Sequence, residues 1–485
     1  MRDNDNPAFD RRTFLAAAGA AGAAALSQAQ TAQAQTASPA AAPGGDYVIR
    51  NAYIVTMERG AGDIPRGDIH VRDGVIVAIG AAGTAPAGAA SIDASGMIAM
   101  PGMIDTHWHL WNTTLRNMQR AGKEYFPVKA AFVEHYTPDD HYRSNRLALA
   151  EAINAGITSV ANFAHNVRSP AHADAELRAM QESGIRGRYY YGPSDPTPKD
   201  KTCDLDDIKR VKQQWFGNAA TFGGRVDLGV AMRGFRNTTE EVVAAEYRFA
   251  KEQGLPTIVH TGANKRIFQP AARLVNAGYV DRTTILAHWI GQTEADLEAV
   301  ARSGATVSFS PTSDLRTPYD TSLHDALFAL RQKGVNLSLS IDSAMLGGVS
   351  MFEQMATAWY VGVPWYDTVT EKQPFVEFTD VLEMATVNGA KALGIADKVG
   401  TLARGKRADI VLVRTTDLNM APLGEAHSAL ARVATPANVD TVIIDGRVLK
   451  RGGKLLGMDA AAVAREAEET LQALRRRAGG EWASR

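Results

Sequence analysis

The sequence predicts an α/β protein, a (β/α)8 barrel of TIM type carrying a small β-sandwich domain formed from both chain ends. Three observations lead there. Helical patterns that stop at glycine and give way within a few residues to β-rich runs repeat through residues 100–395. Short alternating apolar runs with Asp-Gly turns occur on both sides of that stretch. Histidines and one aspartate punctuate the carboxyl ends of the runs, the face at which such barrels carry their active sites.

Residues 1–34 contain Arg11-Arg12-Thr13-Phe14-Leu15, an alanine and glycine run to Leu26, and Ala32-Gln33-Ala34, the order of a twin-arginine export signal. That reading makes the twin-arginine export machinery a partner, starts the mature chain near Gln35, and sends it to the periplasm or the medium. No other run approaches the ~20 apolar residues of a membrane span, so none is expected in the mature form. Residues 46–99 hold Tyr47-Val48-Ile49, Ile69-His70-Val71 and Val75 to Ile79 around Asp73-Gly74. Residues 396–455 hold Ala408 to Val413 and Val442 to Val448 around Asp445-Gly446. These two stretches are expected to pair into one sandwich. In residues 456–485, Ala460 to Leu474 reads as an amphipathic helix that packs on its own barrel or on a second subunit of a homo-oligomer.

Between the sandwich halves, Gly156, Gly184, Gly254, Gly278, Gly304 and Gly334 are read as left-handed helix caps, each followed by a β run. With the run before His107 and that from Val226 to Val230, these make eight strands. The competing fold is a doubly wound open sheet, but the chain carries no G-x-G-x-x-G fingerprint for one. Composition narrows the chemistry. The chain has 485 residues, 45% hydrophobic and 22% charged, with a net charge of -1, and its longest basic run is Arg475-Arg476-Arg477. It offers no stripe for nucleic acid. Cys203 is the only cysteine, so a metal site must use histidine and carboxylate.

The most informative segment is Pro101-Gly102-Met103-Ile104-Asp105-Thr106-His107-Trp108-His109. Side chains alternate along a strand, so His107 and His109 point one way while Trp108 packs on the other face. Strand five ends in His260, strand six in His288 and strand eight in Asp342. His107, His109, His260 and Asp342 would give a shell of three nitrogens and one oxygen for one divalent metal, with room for water. Zinc is the first choice, and iron or manganese suits the same donors. His288 is then free to contact that water or the substrate.

These motifs resemble the amidohydrolase superfamily, in its branch of cytosine deaminase, adenosine-type deaminases and triazine chlorohydrolases. Val259-His260-Thr261, Ala287-His288, Ser310-Pro311-Thr312-Ser313-Asp314-Leu315, Ile341-Asp342-Ser343 and the stretch from Ala385 to Gly394 carry the resemblance, together with Gly400 to Ile410. It implies a mononuclear zinc or iron hydrolase with a metal-bound hydroxide as nucleophile. On that reading Asp342 accepts the water proton and passes it to the leaving group, while His288 hydrogen-bonds the developing charge. Met232-Arg233-Gly234 at the end of strand four offers no bridging ligand for a second metal.

One departure stands out. The deaminases of this branch carry a glutamate three residues after the strand-five histidine, and here that position is Ala263. Either Asp342 and His288 suffice, or Lys265 or His165 substitutes. Trp111, His165, Phe309 and Met345 are expected to contact a small planar or aromatic substrate, with Phe163 and Trp289 nearby. Arg233 and Arg316 are candidates for a substrate carboxylate. The expected function is an exported metal-dependent hydrolase of an amide-like or amidine-like C-N bond. C-Cl or other C-X hydrolysis and deamination of an N-heterocycle are the near variants, and a non-catalytic metal-binding barrel is the alternative class.

Overall fold

Eight strands wind in chain order into a parallel barrel: β1 (Met103–Trp108), β2 (Ile157–Val167), β3 (Arg186–Pro193), β4 (Val226–Met232), β5 (Thr257–His260), β6 (Thr284–Ala287), β7 (Thr306–Phe309) and β8 (Asn336–Leu339). Each pairs parallel with its sequence neighbour, with register shifts only along β1–β2 and β2–β3. The barrel closes at its carboxyl end, where Trp108 bridges Asp342. There the His109 amide donates to the Asp342 carbonyl at 2.7 Å, and the Asp342 amide donates to the His107 carbonyl at 2.8 Å. The computed structural model describes residues 45–483 except 85, 87–88, 237, 264–267, 290, 317–322 and 363–375. Residues 1–34, read above as an export signal, and Lys265 lie outside the described residues.

Local chemistry explains the alternation. Thr137 caps the helix Pro138–Asn154 through a reciprocal box with Asp140, and Thr293 does the same with Asp296 for Glu294–Ser303. All six glycines expected to cap helices take positive φ, between 64° and 86°. Inside the barrel, Ile104, Ala161, Phe163, Tyr190, Ala231, Ile258 and Ile285 pack as one cluster. The outward faces of the strands pack against the helices in the largest core, which includes Trp108, Phe309 and Trp289.

The two chain ends pair into one nine-stranded hydrogen-bonded sheet, in which Ile410–Arg414 joins Met97–Pro101 antiparallel. Tyr47, Ile76, Ile92, Ile410 and Val448, from strands far apart along that path, share one core, so the sheet folds over on itself. A buried ion pair ties it to the barrel: Arg186 on β3 grips Asp409 with two bonds of 2.7 and 3.0 Å and reaches Asp445 at 3.0 Å.

The helix Ala460–Ala478 resolves the choice left open for it. It lies on Pro138–Asn154 of its own barrel, held by Arg143–Glu469 at 3.1 Å and Arg146–Glu466 at 2.5 Å. Leu474 and Trp482 are buried beside Phe132 and Trp111. Among the described residues, no helix is long and apolar enough to cross a membrane.

Candidate active site

Three strand ends, those of β1, β5 and β8, deliver four side chains to one point. The donor atoms of His107, His109, His260 and Asp342 all lie within 4.8 Å of one another. Asp342 Oδ1 is 3.2 Å from His107 Nε2 and 3.4 Å from His109 Nε2. His109 Nδ1 donates to the Phe163 carbonyl at 3.1 Å, which leaves its Nε2 as a lone pair, and that nitrogen faces His260 Nε2 at 3.2 Å. Both ring nitrogens of His107 are buried without a hydrogen-bond partner. Burial pushes the pKa of each of the three imidazoles down, toward the neutral form that binds metal. Burial alone would raise the Asp342 pKa, but the close approach of His107 Nε2 and then the charge of His288 hold it well below the usual carboxylate range. Orphaned imidazole nitrogens around an ionised carboxylate fit a divalent cation.

The backbone at this point is held in uncommon conformations. His288 and Asp342 have φ of 67° and 61°, the left-handed region that non-glycine residues avoid. Asp105 fixes the β1–β8 seam: its carboxyl accepts from the His107 amide at 3.0 Å and the Ile341 amide at 2.8 Å. Next to it, Thr106, Ser308, Ser338, Ser340 and Ser310 form a chain of hydroxyl hydrogen bonds of 2.7–2.9 Å across β1, β7 and β8. Both serines flanking Phe309 belong to this chain. Phe309 itself is therefore on the helix side of β7, fully buried, and is a core residue rather than a pocket wall.

His288 Nδ1 hydrogen-bonds Asp314 at 2.8 Å, which turns its other nitrogen away from that carboxylate. Burial would lower the His288 pKa, but the charge and hydrogen bond of Asp314 outweigh it and the pKa is raised. The motif containing Asp314 was recognisable in the sequence, but its pairing with His288 was not.

His165 ends β2 with its ring 4.2 Å from that of His109. Its Nδ1 accepts from Trp111 Nε1 at 3.2 Å, so the neutral ring carries its proton on Nε2, 3.8 Å from Asp195. Burial first, and Lys129 second, keep its pKa well below the ordinary value. Asp195 is paired with Lys129 at 2.5 Å. Trp111 has no exposed surface; it lies edge-on to Tyr136 and stacks on His141, supporting His165 from behind. Met345 is buried in the same cluster. The aromatic side chain that touches the ligands is Phe163, 4.5 Å from His260, 4.9 Å from His109 and 5.2 Å from His107 between ring centroids.

Arg233 is committed elsewhere, bonded to Glu246 at 3.1 Å and to the carbonyls of Thr197 and Pro198. Position 263 belongs to a two-residue strand, Gly262–Ala263, paired with Phe268–Gln269. A polar cavity of about 570 Å³ opens beside the ends of β2 and β3, lined by Glu134, Arg168, Ser194, Thr202 and Asp204 among others. None of the four converging side chains lines it, so it neighbours the site without being part of it.

A (β/α)8 barrel with a His-X-His pair on β1, a histidine on β5 and an aspartate after β8 belongs to the metal-dependent barrel hydrolases. Within that class, the chain belongs to the amidohydrolase family, whose model matches residues 98–449. It is a hydrolase acting on carbon-nitrogen bonds. The 5'-deoxyadenosine deaminase of Methanosarcina mazei is 28% identical over 447 residues, which cover 88% of this chain and 98% of that protein. The 5-methylthioadenosine/S-adenosylhomocysteine deaminase of Desulforudis audaxviator is 29% identical over 451 residues, with 88% and 98% covered. Two solved structures share the fold. A zinc-bound adenosine deaminase from Xanthomonas campestris has a TM-score of 0.74 at 24% identity, covering 89% of this chain and 99% of its own. A zinc complex of atrazine chlorohydrolase from Arthrobacter aurescens has a TM-score of 0.72 at 19% identity, covering 87% and 99%.

Proposed function

We propose that this protein hydrolyses an amide-like or amidine-like C-N bond in a small cyclic or aromatic molecule, with one divalent metal, zinc first, held by His107, His109, His260 and Asp342. The observation that carries this reading is the convergence of those donors within 4.8 Å around orphaned imidazole nitrogens. Zinc is supported by the zinc bound in the Xanthomonas and Arthrobacter structures. The bound ion would supply Lewis acidity toward a water molecule.

The chain's own groups do the rest. Asp342 takes a proton from the attacking water and delivers it to the leaving nitrogen. His288, oriented by Asp314, which also raises its pKa, donates to the oxygen on which charge develops. Phe163 forms an apolar floor that keeps bulk water from the cluster. Work outside the cytoplasm after twin-arginine export is part of the proposal, supported by Arg11-Arg12 and the Ala32-Gln33-Ala34 pattern.

Deamination of an adenine nucleoside is the second reading, favoured by the activities named for the relatives. Against it stands Ala263, where a carboxylate would serve ring protonation. Turnover of cyclic amides, amino-heterocycles and chloro-heterocycles before and after chelation separates these readings. Chelator-sensitive amide cleavage supports the first, and ammonia release from adenosine supports the second. Stoichiometric metal without turnover on any panel contradicts both.

A further inference from the structure

The β1–β2 connection contains a hydroxyl, linked through Asn112 to the residue after Asp342, that the proposed ligand set does not use. Tyr125 opens the helix Tyr125–Phe132 in the connection between β1 and β2. Its side chain is partly buried, and its hydroxyl lies 3.5 Å from the amide nitrogen of the fully buried Asn112. Asn112 accepts in turn from Ser343 Oγ at 2.9 Å, and Ser343 follows Asp342 in the chain. Burial, and then the charges of Asp342 and Asp195, push the phenol pKa well up. The group therefore stays protonated and able to donate at neutral pH.

The surroundings define what it would donate to. Lys129, one helical turn further on, is neutralised by Asp195. At the mouth, Arg316 and Glu124 bring the β7–β8 and β1–β2 connections together at 3.8 Å. Beside that pair, Phe126 is 53% exposed and Leu315 57% exposed. Exposed apolar side chains on these two connections, with Phe126 against the Tyr125 ring at 5.1 Å, and a neutral donor suit an uncharged aromatic ligand with one acceptor group.

Resting on the hydrolase reading above, we infer that Tyr125 is a substrate-contacting residue whose hydroxyl donates a hydrogen bond to the departing nitrogen of an aromatic amide or amidine. It supplies from the β1–β2 connection a contact for which the sequence offers no carboxylate at position 263. In the reaction, the water oxygen bonds to the carbon, the C-N bond breaks, and its electron pair stays on nitrogen. One water proton reaches that nitrogen by way of Asp342 and the other stays on the product oxygen. Tyr125 keeps its own proton throughout.

The test compares the full-length metal-loaded protein with Tyr125→Phe, using two readouts at equal metal content and melting temperature. In binding, isoquinoline, a neutral aromatic with one acceptor nitrogen, is set against naphthalene, the same ring frame without an acceptor. Wild type is expected to prefer isoquinoline, and the variant to lose about 5–10-fold for isoquinoline while changing less than about twofold for naphthalene. Absence of that preference in wild type, or equal losses for both probes, overturns the inference. In turnover of para-substituted anilides, kcat of the variant should fall most for the most basic leaving anilines, with KM within about threefold. A uniform loss across the series overturns the role at nitrogen. If wild type turns over no anilide, cyclic amide, amino-heterocycle or chloro-heterocycle while the binding contrast holds, the hydrolase reading fails and the nitrogen contact survives. If turnover is normal and the contrast is absent, this inference fails and the hydrolase reading survives.

Discussion

His107, His109, His260 and Asp342 sit at strand ends, where the hydrogen bonds that close the barrel also aim the side chains; Tyr125, Lys129 and Asp195 sit in connections held by other parts of the chain. The Asp342 and His109 amides belong to the β1–β8 seam itself, so the ligand geometry is as rigid as the barrel. The wall above it rests on the helix Tyr125–Phe132, and the C-terminal tail clamps that helix. Phe132 packs on Trp482 at 5.3 Å, and Glu481 pairs with Lys123 at 3.0 Å and Arg120 at 2.6 Å. The contrast predicts that changes at the strand ends act on metal binding and changes in the connections act on substrate choice.

Changes in the rigid region should cost the most. Asp342→Asn is expected to leave the fold intact and lower kcat by about 10³-fold, because an amide cannot take the water proton. Circular dichroism with steady-state kinetics checks this, and near-normal turnover would break the contrast at its strongest point. Asp314→Asn should cost about 10–100-fold through His288. It should also move a pH limb. The His288 pKa is raised in the folded protein. The stability its charged form contributes is therefore fully present below the unfolded value near 6.5 and is lost as pH rises through the folded value. Without Asp314 the folded pKa falls, so the basic limb of kcat/KM should shift to lower pH. An unchanged limb would remove His288 from the reaction.

Changes in the wall should be smaller and of another kind. Trp482→Ala is expected to raise KM about threefold to tenfold with metal content unchanged, since it loosens the clamp on Tyr125–Phe132 and touches no strand end. Metal loss in this variant would show that wall and cluster are coupled. The smallest effect is expected from Ala263→Glu, a gain of a few fold in trace deamination of amino-heterocycles. No gain on such a panel would mean that the missing carboxylate is not what limits that chemistry.

The same contrast explains what could be read from the chain. The barrel, the two-ended sheet and the four converging donors were legible because alternation, glycine caps and strand-end punctuation are local signals. The wall was not. Phe309 reads as a pocket aromatic until Ser308 and Ser310 are seen bonding across β7 and β8, which turns its ring outward. Trp111 and Met345 are near the site in sequence but are drawn into a cluster completed by Leu474 and Trp482 from the other end of the chain. Asp105 looks like part of a strand motif, yet it works by accepting from the amide of Ile341, 236 residues away. Such contacts leave no period in the sequence.

The most direct test of the account is elemental analysis of purified wild type and His260→Ala after exhaustive desalting, with far-UV circular dichroism as the control. The account predicts about one equivalent of a divalent metal in wild type and loss of most of it in the variant, with the barrel's spectrum unchanged. Wild type free of metal after zinc supplementation, or a variant that holds as much metal as wild type, would contradict it.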